Sequence, residues 1–108
     1  MNRTLRDLVG TILAVILSPS WLAAQSNAAS LFKSKCAVCH AEDGSGNSPS
    51  GKALKARDLK SPETQAKPDA EIAEVIAKGQ NKMPPFGQQL KPDQIQQLVA
   101  YIRHLAKK

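Results

Sequence analysis

The chain has 108 residues, 15 lysines and arginines against nine acids for a net charge of +6, and only four aromatic residues among its 42% hydrophobic ones. That length holds one small domain. A domain so small sits near the limit of independent stability, and such domains usually draw on a disulfide, a metal or a bound group. Its two cysteines, Cys36 and Cys39, are too close together for a disulfide between them to constrain much of the unfolded chain. Basic and aromatic residues do not interleave as they do on a nucleic-acid-binding surface.

The chain opens with Arg3 and Arg6, then the apolar run Leu8–Leu17, then Ser18-Pro19-Ser20, which interrupts a helix, and the small-residue stretch Trp21-Leu22-Ala23-Ala24. This order is that of an export signal. The expected division is a leader over residues 1–24 and a domain over 25–108, with cleavage after Ala28 as the second choice. The apolar run falls short of the ~20 residues that span a membrane, so stable insertion is not expected. The mature protein is then periplasmic or secreted. Cleavage removes two arginines and one aspartate, so the net charge goes from +6 to +5. Such a balance serves plain solvation or steers the protein toward acidic partners and anionic surfaces.

Asn27–Lys35 is compatible with a short helix leading into the cysteines. Ala41–Ser50, with Gly51 after it, is rich in glycine and serine and contains Asn47 and Pro49, so a loop is expected. Lys52–Arg57 suits a helical turn, and Ser61–Lys67 continues irregularly. Pro68–Lys78 has the punctuation of a helix. Pro68 suits its first turn, Asp69 and Glu71 complement the positive end of the dipole, Gly79 stops it, and Ile72, Val75 and Ile76 share a face. Gln80–Leu90, containing Pro84, Pro85 and Gly87, is a loop. Pro92–Leu105 is the strongest helix, with Ile95, Leu98, Val99, Ile102 and Ala106 on one stripe that Leu105 and Tyr101 extend. No segment alternates as a strand does. The expected fold is all-α, three or four helices round a bound group.

Cys36-Ala37-Val38-Cys39-His40 carries the chemistry. C-x-x-C-H is the attachment site of c-type haem: two thiols bond to the vinyl groups, and the adjacent histidine is carried beneath the iron. A thioredoxin-like motif would follow a strand, and none precedes Cys36. A structural zinc site needs four ligands, and only His104, remote in sequence, is left to join these three. Met83 is the only methionine besides the initiator and stands before Pro84-Pro85 in a loop. Its residue type alone allows a gap-filling core role or a metal ligand.

With these motifs the sequence resembles the small class I, monohaem c-type cytochromes of bacteria, from about Ala28 to Leu105. Phe32 stands four residues before Cys36, Gly79 precedes Met83-Pro84-Pro85-Phe86, and Leu98-Val99-Ala100-Tyr101-Ile102 lies near the end, in the family's order. The resemblance implies one haem c, bound through Cys36 and Cys39, with His40 and Met83 as axial ligands. It also implies contacts among Phe32, Leu98 and Tyr101 between the terminal helices, with Tyr101 close to the haem. Ala28 stands where the family often has glycine. By the same resemblance Pro49 supplies the carbonyl that fixes the histidine ring, while Arg57 or Lys55 either pairs with a propionate or is a solvated charge. His104 points away from the apolar stripe and is a solvated side chain. With both axial positions filled, the implied function is an electron carrier and not an enzyme. It is a monomer that docks transiently on acidic redox partners through lysines such as Lys35, Lys52, Lys55, Lys78 and Lys82. The alternatives are a peroxidase-like enzyme or sensor with a labile Met83, and a haem subunit of a larger respiratory complex.

Overall fold

The computed structural model describes residues 14–17 and 20–108, with side chains in the first helix from Asn27 onward. The charged start and most of the apolar run of the expected leader lie outside them. Six helices follow in order: α1 (Ser20–Lys35), α2 (Ala37–His40), α3 (Pro49–Leu54), α4 (Pro62–Gln65), α5 (Asp69–Lys78) and α6 (Pro92–Leu105). Among the described residues there is no strand, only an isolated bridge between Gln80 and Met83. The all-α expectation holds.

α6 has the expected limits, and α5 begins one residue later than expected, with Pro68 as the residue before its first turn. Three elements differ. α1 starts at Ser20 rather than near Asn27, because Leu22, Ala23, Ala24 and Gln25 are strong helix formers. α3 begins at Pro49, inside the expected loop. The Ser48 hydroxyl accepts from the Gly51 N–H at 2.9 Å and Pro49 occupies the first helical position, a start signal that outweighs the surrounding glycines. Pro62–Gln65 forms a helical turn by the same device, with Ser61 accepting from the Thr64 N–H at 3.2 Å.

The core forms where α1 crosses α6 and α5 leans on the pair. Phe32 and Leu98 are 1% exposed and Val99 2%, and Ala28 is sealed with them. Ile95, Leu98, Val99, Ile102 and Leu105 share the buried face of α6; Leu105, rather than the half-buried Ala106, completes it. Ile72 and Ile76 bring α5 into the same cluster. The Phe32 and Tyr101 rings meet at 5.2 Å, inclined by 52°, a tilted contact of the kind aromatic pairs prefer.

The seam between α2 and α3 depends on one hydroxyl. Besides capping α3, Ser48 Oγ lies 2.8 Å from the Val38 carbonyl and 3.0 Å from that of Cys39. Ser48→Ala is expected to lower stability by about 1 kcal/mol, the usual worth of such a cap. Thermal unfolding should then move down by roughly 4–8 °C.

Candidate prosthetic-group cleft

α2 is a single turn whose three chemical groups come from consecutive residues. Cys36 precedes it, held by its N–H to the Phe32 carbonyl at 2.9 Å, and Cys39 and His40 complete it. Since α1 is anchored in the core through Phe32, the motif is fixed to the most buried part of the molecule. Both cysteines are free thiols. Burial pushes the Cys36 thiol up to about 11, against the attraction of the Lys35 charge, so it stays protonated.

These residues open onto a cleft of about 210 Å³, to which α1, α5 and α6 contribute Phe32, Ile72, Ile76, Leu98 and Ile102. Cys36, Cys39, His40 and Met83 all line it. Residues 36–40 and Met83 are far apart in sequence, and the fold places them in one cavity.

His40 Nδ1 is 3.0 Å from the Arg57 carbonyl oxygen. A carbonyl only accepts, so Nδ1 carries the proton and Nε2 keeps its lone pair for a metal. The expected partner, Pro49, is not the one found. Pro49 begins α3 on the exposed surface, and the carbonyl that meets the ring comes from eight residues further along. Burial, which favours the neutral ring that ligates metals, holds His40 below its ordinary value, and the Arg57 hydrogen bond opposes it. This fixes a pH dependence. The unfolded chain takes up the proton at a higher pH than the folded one, so His40's contribution to stability is intact above pH 6.5. It is lost as pH falls from 6.5 toward the lower folded value. Ligation can only deepen that depression, since proton and metal compete for Nε2. Urea midpoints measured from pH 7 to 5 should fall on acidification; a rise over that range would contradict the placement of the ring.

Met83 is held by backbone. Its N–H donates to the Gln80 carbonyl at 2.9 Å, and its carbonyl accepts from the Gln80 N–H at 3.1 Å. Gly79 makes this tight reversal possible: its φ is +76°, and a Cβ there would stand 2.6 Å from the Met83 carbonyl oxygen. Beyond Pro84 and Pro85 the loop is tied back to α5, with Phe86 N–H donating to the Ile76 carbonyl at 2.9 Å and Gly87 N–H to that of Ala77 at 3.0 Å. The loop therefore has little freedom to carry Met83 elsewhere.

Of the lysines expected at a docking rim, Lys35, Lys55 and Lys82 line the cleft, while Lys78 is turned to Glu74 at 3.1 Å. Arg57 also lines it, with its guanidinium 2.9 Å from Glu63. Two apolar side chains missing from the sequence reading, Val38 at 62% exposure and Leu54 at 42%, stand among these cations at the cleft. Tyr101 packs against Phe32, which lines the cleft, and is not itself one of the lining residues. His104 is exposed, with its ring 6.2 Å from that of Tyr101. Thr64 and Lys67 form further wall that no local pattern announced. Two thiols, an imidazole with one nitrogen free, a thioether and apolar walls are a donor set suited to a flat, covalently attached metal macrocycle. The residues present fit haem c.

A model of the family described as cytochrome C oxidase, cbb3-type, subunit III matches residues 23–102. Cytochrome c6 of Nostoc sp. (strain PCC 7120 / SAG 25.82 / UTEX 2576) is 39% identical over 86 residues, covering 79% of this chain and 74% of that protein. Cytochrome c6 of Gloeothece citriformis (strain PCC 7424) is 34% identical over 104 residues, covering 90% of this chain and 91% of that one. Among solved structures, the KustC0563 c-type cytochrome superposes with a TM-score of 0.65 at 33% identity, covering 72% of this chain and 95% of its own.

Proposed function

Because this chain belongs to the small monohaem c-type cytochromes, we infer that its cleft holds haem c through thioether bonds from Cys36 and Cys39, with His40 and Met83 as axial ligands. The protein carries one electron at a time on that group. The observation that carries the ligand assignment is the convergence of these four side chains on one apolar cleft, with His40 Nδ1 already committed to Arg57.

When bound, the haem iron supplies a one-electron couple. The protein sets its terms. The Met83 thioether is a soft ligand that favours the reduced iron, and the Arg57 carbonyl fixes the imidazole plane and raises its basicity. Ile72, Ile76, Leu98 and Ile102 exclude water, which sets the local dielectric. With His40 and Met83 on the two axial positions, peroxide and oxygen find no vacancy. This favours a carrier over a peroxidase-like enzyme or a ligand-gated sensor. The relatives named cytochrome c6 support a separate carrier over a subunit fixed in a larger complex.

The leader is removed after Ala24, within the span of α1, and the mature domain, 25–108, works as a monomer in the periplasm. No described helix is long and apolar enough to cross a membrane. Lys35, Lys55 and Lys82, set around Val38 and Leu54, form a basic rim with an apolar centre that fits an acidic redox partner. Transient redox encounters use small interfaces, and this rim suffices for one. A potentiometric titration followed by optical spectra tests the carrier reading. The mature protein should titrate as a single one-electron couple, six-coordinate in both states, with spectra unmoved by added peroxide. A five-coordinate iron that reacts with peroxide would replace the carrier with an enzyme.

A further inference from the structure

Arg103 uses every hydrogen it has. Its Nε and Nη2 donate to Asp69 Oδ1 at 3.0 and 2.8 Å, Nη1 to the Gln65 carbonyl at 3.0 Å and to Gln65 Oε1 at 3.2 Å, and Nη2 also to the Lys67 carbonyl. All five guanidinium donors are thus engaged from a side chain that is 25% exposed. Surface arginines that only solvate a helix do not do this. The acceptors run from the last residue of α4 through the connector to the first residue of α5, so α6 is riveted to a segment distant in sequence.

That segment forms part of the cleft and leads back to the histidine. Thr64 and Lys67 line the cleft on either side of Gln65. The Gln65 side chain takes the Arg103 proton on Oε1 and donates from Nε2 to the Leu59 carbonyl at 2.7 Å. Thr64 Oγ1 donates to the Asp58 carbonyl at 3.1 Å, and the Leu59 N–H donates to Gly44 at 2.7 Å. Asp58 and Leu59 directly follow Arg57, whose carbonyl holds His40 Nδ1 at 3.0 Å. Hydrogen bonds therefore run from Arg103 through Gln65 to the Leu59 carbonyl, two residues along the backbone from the Arg57 carbonyl that orients the ring.

We propose that Arg103 is a positioning residue for the haem's histidine ligand, acting through Gln65 on the segment that carries the Arg57 carbonyl. The inference rests on His40 being that ligand. A lysine keeps the charge of Arg103 but has no planar fork to reach Gln65, Lys67 and Asp69 together. Losing the fork frees the connector and weakens the Nδ1 hydrogen bond, so the imidazole becomes a less basic ligand and the reduced iron is favoured.

The test compares the holoprotein with Arg103→Lys, Arg103→Gln and Val99→Ala. Val99 is a buried α6 residue away from the cleft, so its truncation lowers stability alone. Two quantities are read: the midpoint potential, and the solvent exchange of the His40 Nδ1 proton by NMR. Arg103→Lys is expected to shift the reduced-to-oxidised ratio at fixed ambient potential by about tenfold toward reduced, 59 mV for one electron. It should also speed Nδ1 exchange about tenfold, while Val99→Ala moves neither. If only Arg103→Gln shifts the midpoint, the effect is lost charge and positioning is overturned. Unchanged midpoint and exchange in Arg103→Lys overturn it as well. Should Arg103→Gln fail to accumulate as holoprotein, the lysine variant decides alone. A wild-type spectrum without histidine ligation would remove the ligand assignment itself, and is seen before any variant is measured.

Discussion

Met83→Ala is expected to leave haem attached to the protein and change everything about its sixth position. The thiols and His40 reside on one short stretch, Cys36–His40, anchored through the Phe32 carbonyl, and none of the hydrogen bonds that hold this stretch involves residue 83. Attachment should therefore survive. The loop should survive too, since Met83 is held there by its own backbone, paired with Gln80, and not by its side chain. What disappears is the thioether. Axial ligation spans potentials over ~0.8 V, and loss of the soft ligand moves the midpoint downward by a substantial part of that range. A weak far-red absorbance band, the mark of a thioether on oxidised haem iron, is expected in the wild type and should vanish here, and added imidazole should bind. If the band and midpoint persist in Met83→Ala, another residue completes the iron, and the one remaining histidine, His104, is the first to examine.

Gly51→Ala is expected to cost about 3 kcal/mol, the upper part of the range for overpacking a tight site. Gly51 is buried where α3 lies against the end of α2, and a Cβ there would overlap the Cys39 and Gly46 carbonyl oxygens. Neither neighbour can yield cheaply. The Cys39 carbonyl is held by Ser48 Oγ at 3.0 Å, and Gly46 is fixed by its N–H to the His40 carbonyl at 2.7 Å. Moving α3 also disturbs the Gly51 carbonyl, which accepts from the Ala56 N–H at 2.8 Å one residue before Arg57. For a domain of this size the melting midpoint should fall by roughly 10–20 °C. The haem spectrum should shift along with it, since the strain reaches the carbonyl that orients His40. Retention of wild-type stability would mean that α2 and α3 are not in the contact described.

Where signals were local, the sequence was readable. α6 keeps its expected limits because Pro92, Asp93 and a long apolar stripe all agree, and α5 departs by one residue only, because Gly79 ends what Asp69 and Glu71 begin. α3 was hidden by its own surroundings. Ser48-Pro49 is a strong start signal, yet it sits among Gly44, Gly46, Asn47 and Gly51, whose composition argues for a loop. In the structure Gly51 is no breaker at all; it is the only residue small enough for that contact. The ring partner of His40 could not be read locally. Which of many backbone carbonyls meets an imidazole depends on how the chain returns between residues 41 and 57, and no residue type encodes that. The same holds for Arg103, which looks like an ordinary solvated cation at the end of an amphipathic helix. Only the folded connector reveals why an arginine, with its fork of donors, stands there.

The most direct measurement is the mass of the tryptic peptide spanning residues 36–52 from mature protein made in a host able to attach haem. The peptide should carry one haem with both Cys36 and Cys39 consumed as thioethers. The same peptide found with two free thiols, or with the pair oxidised to a disulfide, would contradict the assignment of the cleft.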